Sequence, residues 1–190
     1  MAKLIHLNGP PGVGKSTLAA RYVDDHRGAL NLDVDLVVGQ IGGWRDNFWD
    51  TIPIARRLAA AMARQHLDDG HDVVLPQLTT GLDESEPYES AARSVGGEYR
   101  EVVLFADLTP AITRFSTRQG DFATDVQAHV HQLVERSGGV TLLSKIYRQL
   151  VAYLSERPDA IVLQTGSSTP ADSYQQLLRA LPEDEPISNS

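Results

Sequence analysis

Residues 9–17 read GPPGVGKST, a glycine- and proline-rich run ending in a lysine and two hydroxyls. Gly9, Gly12, Gly14, Lys15 and Ser16 fill the pattern G-x-x-x-x-G-K-[ST]. Glycines at these positions let successive backbone N–H groups turn inward around phosphate oxygens. The lysine can reach the β- and γ-phosphates, and the serine hydroxyl can ligate Mg²⁺. The whole segment Gly9, Pro10, Pro11, Gly12, Val13, Gly14, Lys15, Ser16 and Thr17 is therefore the candidate nucleotide-binding loop. An apolar run precedes it and a helical pattern follows it. A helix that starts there adds about half a positive elementary charge to the anion site.

Other features narrow the chemistry. No Asn-Lys-x-Asp run is present to read guanine, and the D-x-x-G at Asp25–Gly28 falls at the end of the first predicted helix, where it cannot sense a γ-phosphate. The third predicted strand ends Leu75-Pro76-Gln77, with no acid where an ATPase would carry one. Two aspartates, Asp33 and Asp35, end the second predicted strand, where period-two alternation puts them on one face. Like charges so placed need a cation or a substrate between them. The plain alternative is that Asp33 lies at the surface and Asp35 caps the next helix. Arg114 and Arg118 are four residues apart and share a helix face, which by itself reads as a solvated basic stripe. The segment GGWRDNFWD (42–50) holds both tryptophans and Arg45; it suits an acceptor pocket or the packing of a helical hairpin. Arg56 and Arg57 follow on a helix, and sequence does not say which faces inward. Gln77 is either an acceptor contact or a polar strand end. His129 and His131, on a helical pattern, point to different sides and read as surface residues.

The elements that must position these residues alternate along the chain. Strands are predicted at 3–7, 29–35, 71–77, 99–108 and 159–166. Helices are predicted at 16–26, 52–70, 85–97, 109–120, 125–137, 140–156 and 168–181, with a helical turn at 36–41. That order argues for an α/β fold, a parallel sheet with helices on both faces. Residues 1–182 read as one domain, with a cover at about 119–140 and a frayed polar tail at 183–190. The 190 residues carry a net charge of -8, which speaks against a broad nucleic-acid surface, so an anionic ligand needs a local cluster. There is no cysteine, which removes thiolate chemistry and fits a reducing, cytoplasmic setting. No apolar run approaches the roughly 20 residues of a membrane span.

On GPPGVGKST (9–17), LDVD (32–35), VVLPQ (73–77), TRFSTRQG (113–120) and LQTGSSTPAD (163–172), the chain resembles the small P-loop kinases of small molecules. These include shikimate kinase, gluconate kinase, chloramphenicol phosphotransferase and the tunicamycin-resistance-like proteins. The resemblance implies a P-loop NTPase fold with a five-stranded parallel sheet in order 2-3-1-4-5 and a helical lid. It also implies ATP and Mg²⁺, transfer of the γ-phosphoryl group to a small-molecule hydroxyl, and a monomer or homodimer. On that resemblance Lys15 holds the donor, Ser16 and Asp33 hold Mg²⁺, and Asp35 is the base beside the acceptor. Arg114 and Arg118 clamp phosphates or adenine at the lid hinge, while Arg45 and Gln77 border the acceptor. Gln77 stands where shikimate kinase has a glycine-rich turn, which sets this chain apart from shikimate kinase itself. The alternatives are a nucleotide-binding switch without transfer and a nucleic-acid 5′-end kinase.

Overall fold

The computed structural model describes residues 1–106, 113, 115, 125–166 and 168–181. In chain order the elements are β1 (Lys3–Asn8), α1 (Lys15–Asp25), β2 (Leu30–Asn31), α2 (Val34–Gly39), α3 (Phe48–Asp68), β3 (Val73–Leu75) and α4 (Leu82–Ser94). They continue as β4 (Glu98–Phe105), α5 (Asp125–Arg136), α6 (Val140–Ser155), β5 (Ile161–Gln164) and α7 (Pro170–Ala180). The five strands form one sheet in the order β2-β3-β1-β4-β5. Every neighbouring pair is parallel. The chain thus has the P-loop NTPase fold expected from its sequence.

β1 lies at the centre and is buried along its whole length. Alternation sends Leu4 to one face, into a core with α2, α3 and α4, and sends Ile5 and Leu7 to the other, against α1 and α7. α3 buries Ala55, Ala59 and Ala63 one turn apart, small side chains that let its backbone approach the sheet closely. Thr169 caps α7 by accepting from the N–H of Asp172, whose carboxylate in turn accepts the N–H of Thr169. Among the described residues no helix is long and apolar enough to cross a membrane.

Several boundaries differ from the sequence reading. β2 is only Leu30–Asn31, because Asp33 ends the extended segment by capping α2. α3 begins at Phe48, four residues before its predicted start, and so carries Trp49 as well. The predicted helix at 109–120, the first part of the cover and the tail lie outside the described residues, apart from Thr113 and Phe115.

Candidate active site

The phosphate loop connects β1 to α1 at the C-terminal edge of the sheet, where ligands of open α/β sheets bind. Gly9, Gly12 and Gly14 have φ of 140°, 80° and 104°, values that a side chain strongly disfavours. A Cβ on Gly9 would also sit 2.5 Å from the carbonyl oxygen of Leu104, so the strand crossing beneath the loop leaves room only for hydrogen there. Gly14 occupies the N-cap of α1, no side chain caps that helix, and its first turn holds no acid. The leading amides of α1 thus meet no competing side-chain acceptor. Lys15 arches back over the loop and donates from Nζ to the carbonyls of Gly9 at 2.8 Å and Pro10 at 3.0 Å.

Asp33 and Asp35 reach the same place from α2. They do so on a helix and not on a strand face, which corrects the period-two expectation. Asp33 is the N-cap, its Oδ1 accepting the N–H of Asp35 at 3.0 Å, and Asp35 follows within the first turn. The capping role thus belongs to the other aspartate of the two. Burial pushes the Asp35 carboxyl up to about 6, helped by the charge of Asp33 and opposed by Lys15. Burial also raises Asp33, against the pull of its bond from Asp35 and of Lys15. The same desolvation lowers Lys15 to about 8, although both aspartates favour its charge.

Lys15, Ser16, Asp33 and Asp35 line a cavity of about 280 Å³, with Pro11 and Gly12 of the loop. Phe48, Trp49, Ile52 and Arg56 of α3 line it as well, with Pro76, Gln77 and Leu78 after β3. Phe115 and three residues of α5, Gln127, Val130 and His131, complete the wall. Arg56 is thus the inward member of the arginine pair, held at its Nη1 by Glu84 at 2.7 Å, while Arg57 is exposed. Gln77 reaches the cavity as expected, and its backbone carbonyl accepts from Nε2 of His6 at 2.9 Å. A second cavity, of about 200 Å³, lies on the other side of the loop. Gly12, Val13, Gly14, Thr17 and Leu18 line it with Thr165, Ser168, Pro170 and Ser173, and none of these is charged.

Not every candidate converges. Arg45 is exposed, pairs with Asp125 at 2.7 Å and lies 4.4 Å over the Trp44 ring, away from the cavity lining. Trp44 is core, so the tryptophan segment divides between packing and the cavity. His129 and His131 are half-buried and not surface residues: His129 packs edge-on to Trp44, and His131 stacks on Phe115 at 4.7 Å. Arg114 and Arg118 lie outside the described residues.

Sequence reading missed a buried polar layer beneath the site. Asn8 is fully buried at the end of β1, and its Oδ1 accepts the N–H of Gly9 at 2.7 Å and of Thr79 at 3.0 Å. Its Nδ2 donates to Oε1 of Glu101 on β4 at 2.8 Å. Glu101 also accepts the Tyr153 hydroxyl at 3.0 Å and Nε of Arg157 at 2.9 Å, and Arg157 continues to Glu89 at 2.9 Å. His6, also fully buried, donates to Gln77 and so accepts the Tyr99 hydroxyl at Nδ1, 2.7 Å away. Desolvation lowers its pKa, in keeping with a neutral ring. The signal in the sequence was an acid, Glu101, opening the apolar run of β4.

A profile of the AAA domain family matches residues 4–143. Two solved structures share the fold across nearly the whole chain. One, "Crystal structure of APE1195", has TM-score 0.64 and 19% identity, covering 94% of each chain. The other, a gluconokinase from Sinorhizobium meliloti 1021, has TM-score 0.59 and 16% identity, covering 94% of this chain and 90% of that one. No curated protein sequence matches. With its phosphate loop, its 2-3-1-4-5 parallel sheet and a family match over most of its length, the chain belongs to the AAA domain family.

Proposed function

We propose that the protein transfers the γ-phosphoryl group of ATP to a hydroxyl of a small organic molecule. The observation that carries this reading is one shared cavity. The phosphate-loop residues Lys15 and Ser16, the two aspartates at the start of α2, and side chains of α3, α5 and the segment after β3 all line the same space of about 280 Å³. A nucleotide switch has no need of that space beside its phosphates. The uncharged second cavity suits the base of the nucleotide.

In this mechanism the loop amides and the start of α1 bind the donor phosphates. Lys15 leaves the carbonyls of Gly9 and Pro10 for the β- and γ-phosphates. Ser16 and Asp33 would hold Mg²⁺: a hydroxyl and carboxylates are the hard oxygen donors this ion takes alongside phosphates. A cation there would also offset the burial that raises both aspartates. When bound, Mg²⁺ neutralises charge on the phosphate oxygens. Asp35 takes the proton of the acceptor hydroxyl, with a carboxyl tuned to about 6 that is largely ionised at neutral pH. The hydroxyl oxygen bonds to the γ-phosphorus as the bond from that phosphorus to the β–γ bridging oxygen breaks, and ADP leaves. Gln77 orients the acceptor. Arg118, with Arg114, closes over the transferring phosphoryl group, as the resemblance implies.

The test is ADP release over a panel of hydroxyl compounds, nucleosides and oligonucleotide 5′-ends. Small alcohols should support turnover, and Lys15→Ala should abolish it with an unchanged circular dichroism spectrum. Full turnover by Lys15→Ala, or turnover with oligonucleotide ends alone, overturns the reading.

A further inference from the structure

α3 buries Ala55, Ala59 and Ala63 toward the sheet, yet its outer side is not uniformly polar. Ile54, Leu58 and Met62 stand one turn apart along that side, 41%, 47% and 46% exposed. Leu36 of the neighbouring α2 is 46% exposed as well. A groove of about 580 Å³ runs between the two helices. Val37 and Ile41 line it with Leu58, Ala61 and Met62, and its polar lining residues, Gln40 and Gln65, are neutral. An exposed, uncharged apolar face of this kind marks a surface that another protein surface covers.

The chain's own last residues do not fit it. α7 leads into Leu181, which packs in the core on the opposite face of the sheet from α2 and α3. Residues 182–190 read PEDEPISNS, in which Ile187 is the one apolar side chain besides the prolines. A second copy of the chain does fit. Asp50, Arg57 and Arg64 lie seven residues apart, about two helical turns, in one line beside the apolar row. All three are exposed. A two-fold axis crossing α3 near Leu58 sets two copies of the helix antiparallel. Leu58 then meets Leu58, and Ile54 meets Met62 twice. The same operation brings Asp50 to Arg64 of the second copy, again twice, because these two residues are centred on Arg57. Arg57 stands at the axis, where its stem covers the leucines and its guanidinium reaches solvent. The net charge of -8 opposes association of like copies, and local pairs of opposite sign offset it. α3 has 21 residues and is about 30 Å long. At about 10 Å wide, with the shorter α2 beside it, this face offers on the order of 400–500 Å² per copy, close to the ~1,000 Å² total of a specific interface.

We propose that the outer face of α3, with the groove it forms against α2, is a two-fold interface at which two copies of this chain pair. The row Ile54, Leu58 and Met62 is its core, and two Asp50–Arg64 ion pairs fix its register. The same helix lines the large cavity through Phe48, Ile52 and Arg56, so the second copy braces that wall from behind.

Sedimentation velocity of the full chain at low salt, over about 1–100 μM, gives the mass in solution. The wild type should sediment at twice 20.8 kDa at the upper end of this range. Leu58→Glu places a charge on the axis and should sediment at 20.8 kDa throughout, with an unchanged circular dichroism spectrum because the site is exposed in the single chain. Asp50→Arg turns two exposed pairs into two repulsions and should weaken the dimer about tenfold. Adding Arg64→Asp to Asp50→Arg restores both pairs with reversed sign and should recover the wild-type dissociation constant. The chain has no cysteine, so a single introduced thiol reports its own neighbourhood. On mild oxidation Leu58→Cys should give a covalent dimer, and Val151→Cys, exposed on α6, should not. A wild type at 20.8 kDa at every concentration overturns the proposal, as does a dimer that survives Leu58→Glu. Cross-linking through Val151→Cys and not Leu58→Cys, or a charge reversal that fails to restore pairing, overturns it equally.

Discussion

Asn8 donates to Glu101 across 2.8 Å, from the end of one buried strand to the middle of its neighbour. Through its other side-chain atom the same amide holds the first glycine of the phosphate loop and the N–H of Thr79, two residues beyond Gln77. The phosphate loop and the segment after β3 that carries Gln77 thus hang on one side chain.

That arrangement predicts strong coupling. Asn8→Ala leaves the buried N–H groups of Gly9 and Thr79 without their partner, takes one donor from a Glu101 oxygen that keeps the Tyr153 hydroxyl, and should cost about 2–4 kcal/mol. Asn8→Asp brings two carboxylates together and should be worse. Adding Glu101→Gln to Asn8→Asp exchanges donor for acceptor and should recover part of the loss. Urea unfolding of the wild type, Asn8→Asp, Glu101→Gln and the double variant measures this, with a coupling energy above about 1 kcal/mol expected and zero coupling showing the two residues to be independent.

Asp33 and Asp35 should separate in their kinetics. Asp35→Asn should lower kcat by about 10²–10⁴ with little change in nucleotide affinity, as loss of a general base does. Asp33→Asn should raise the Mg²⁺ concentration needed for half-maximal rate. Steady-state kinetics against Mg²⁺ checks both; the reverse pattern would exchange the two roles.

The Asp35 carboxyl is raised to about 6 from its ordinary 3.8, so the folded state holds a proton that the unfolded chain has released. Its contribution to stability therefore falls as pH rises between about 4 and 6 and stays low above that. Asp35→Asn should be more stable than the wild type at pH 7, by about 1–2 kcal/mol, or about 2–8 °C in Tm. The gain should vanish near pH 3.5, where the aspartate is protonated in both states. Melting curves of both proteins across this range decide it.

The rate should be bell-shaped in pH. Below about 6 Asp35 takes up a proton and can no longer accept one. Above about 8 Lys15 loses the charge that holds the phosphates. A plot of log kcat/KM should bend at both values. In Asp35→Asn the acid limb should disappear and the alkaline limb remain.

Gly9 and Gly14 should differ in what they tolerate. A Cβ at Gly9 meets the Leu104 carbonyl of a buried strand at 2.5 Å, whereas one at Gly14 meets nothing within 4 Å. Both have positive φ, so each alanine costs about 1–3 kcal/mol in backbone strain. Gly9→Ala should exceed Gly14→Ala by a further 1 kcal/mol or about that, because overpacking against backbone finds no relief. Urea midpoints give the order directly.

The order of strands and helices, the phosphate loop and its lysine were legible in the sequence because each depends on neighbours within a few residues. Periodicity marks an amphipathic helix such as α3 locally, and glycines at fixed offsets mark a loop locally. The resemblance supplied the strand order, which the sheet then showed. The end of β2 was not legible. Whether Asp33 extends a strand or caps a helix turns on a single hydrogen bond to Asp35, competing with a sheet edge contributed by β3. Nor could the sequence choose Arg56 over Arg57, bring His131 onto Phe115, or send Arg45 to Asp125, eighty residues away. Those outcomes depend on how separate helices lie on the sheet. The buried Asn8–Glu101 pair lies at the same limit, since a polar residue in an apolar strand finds its partner only when distant strands fix their register, 93 positions apart along the chain.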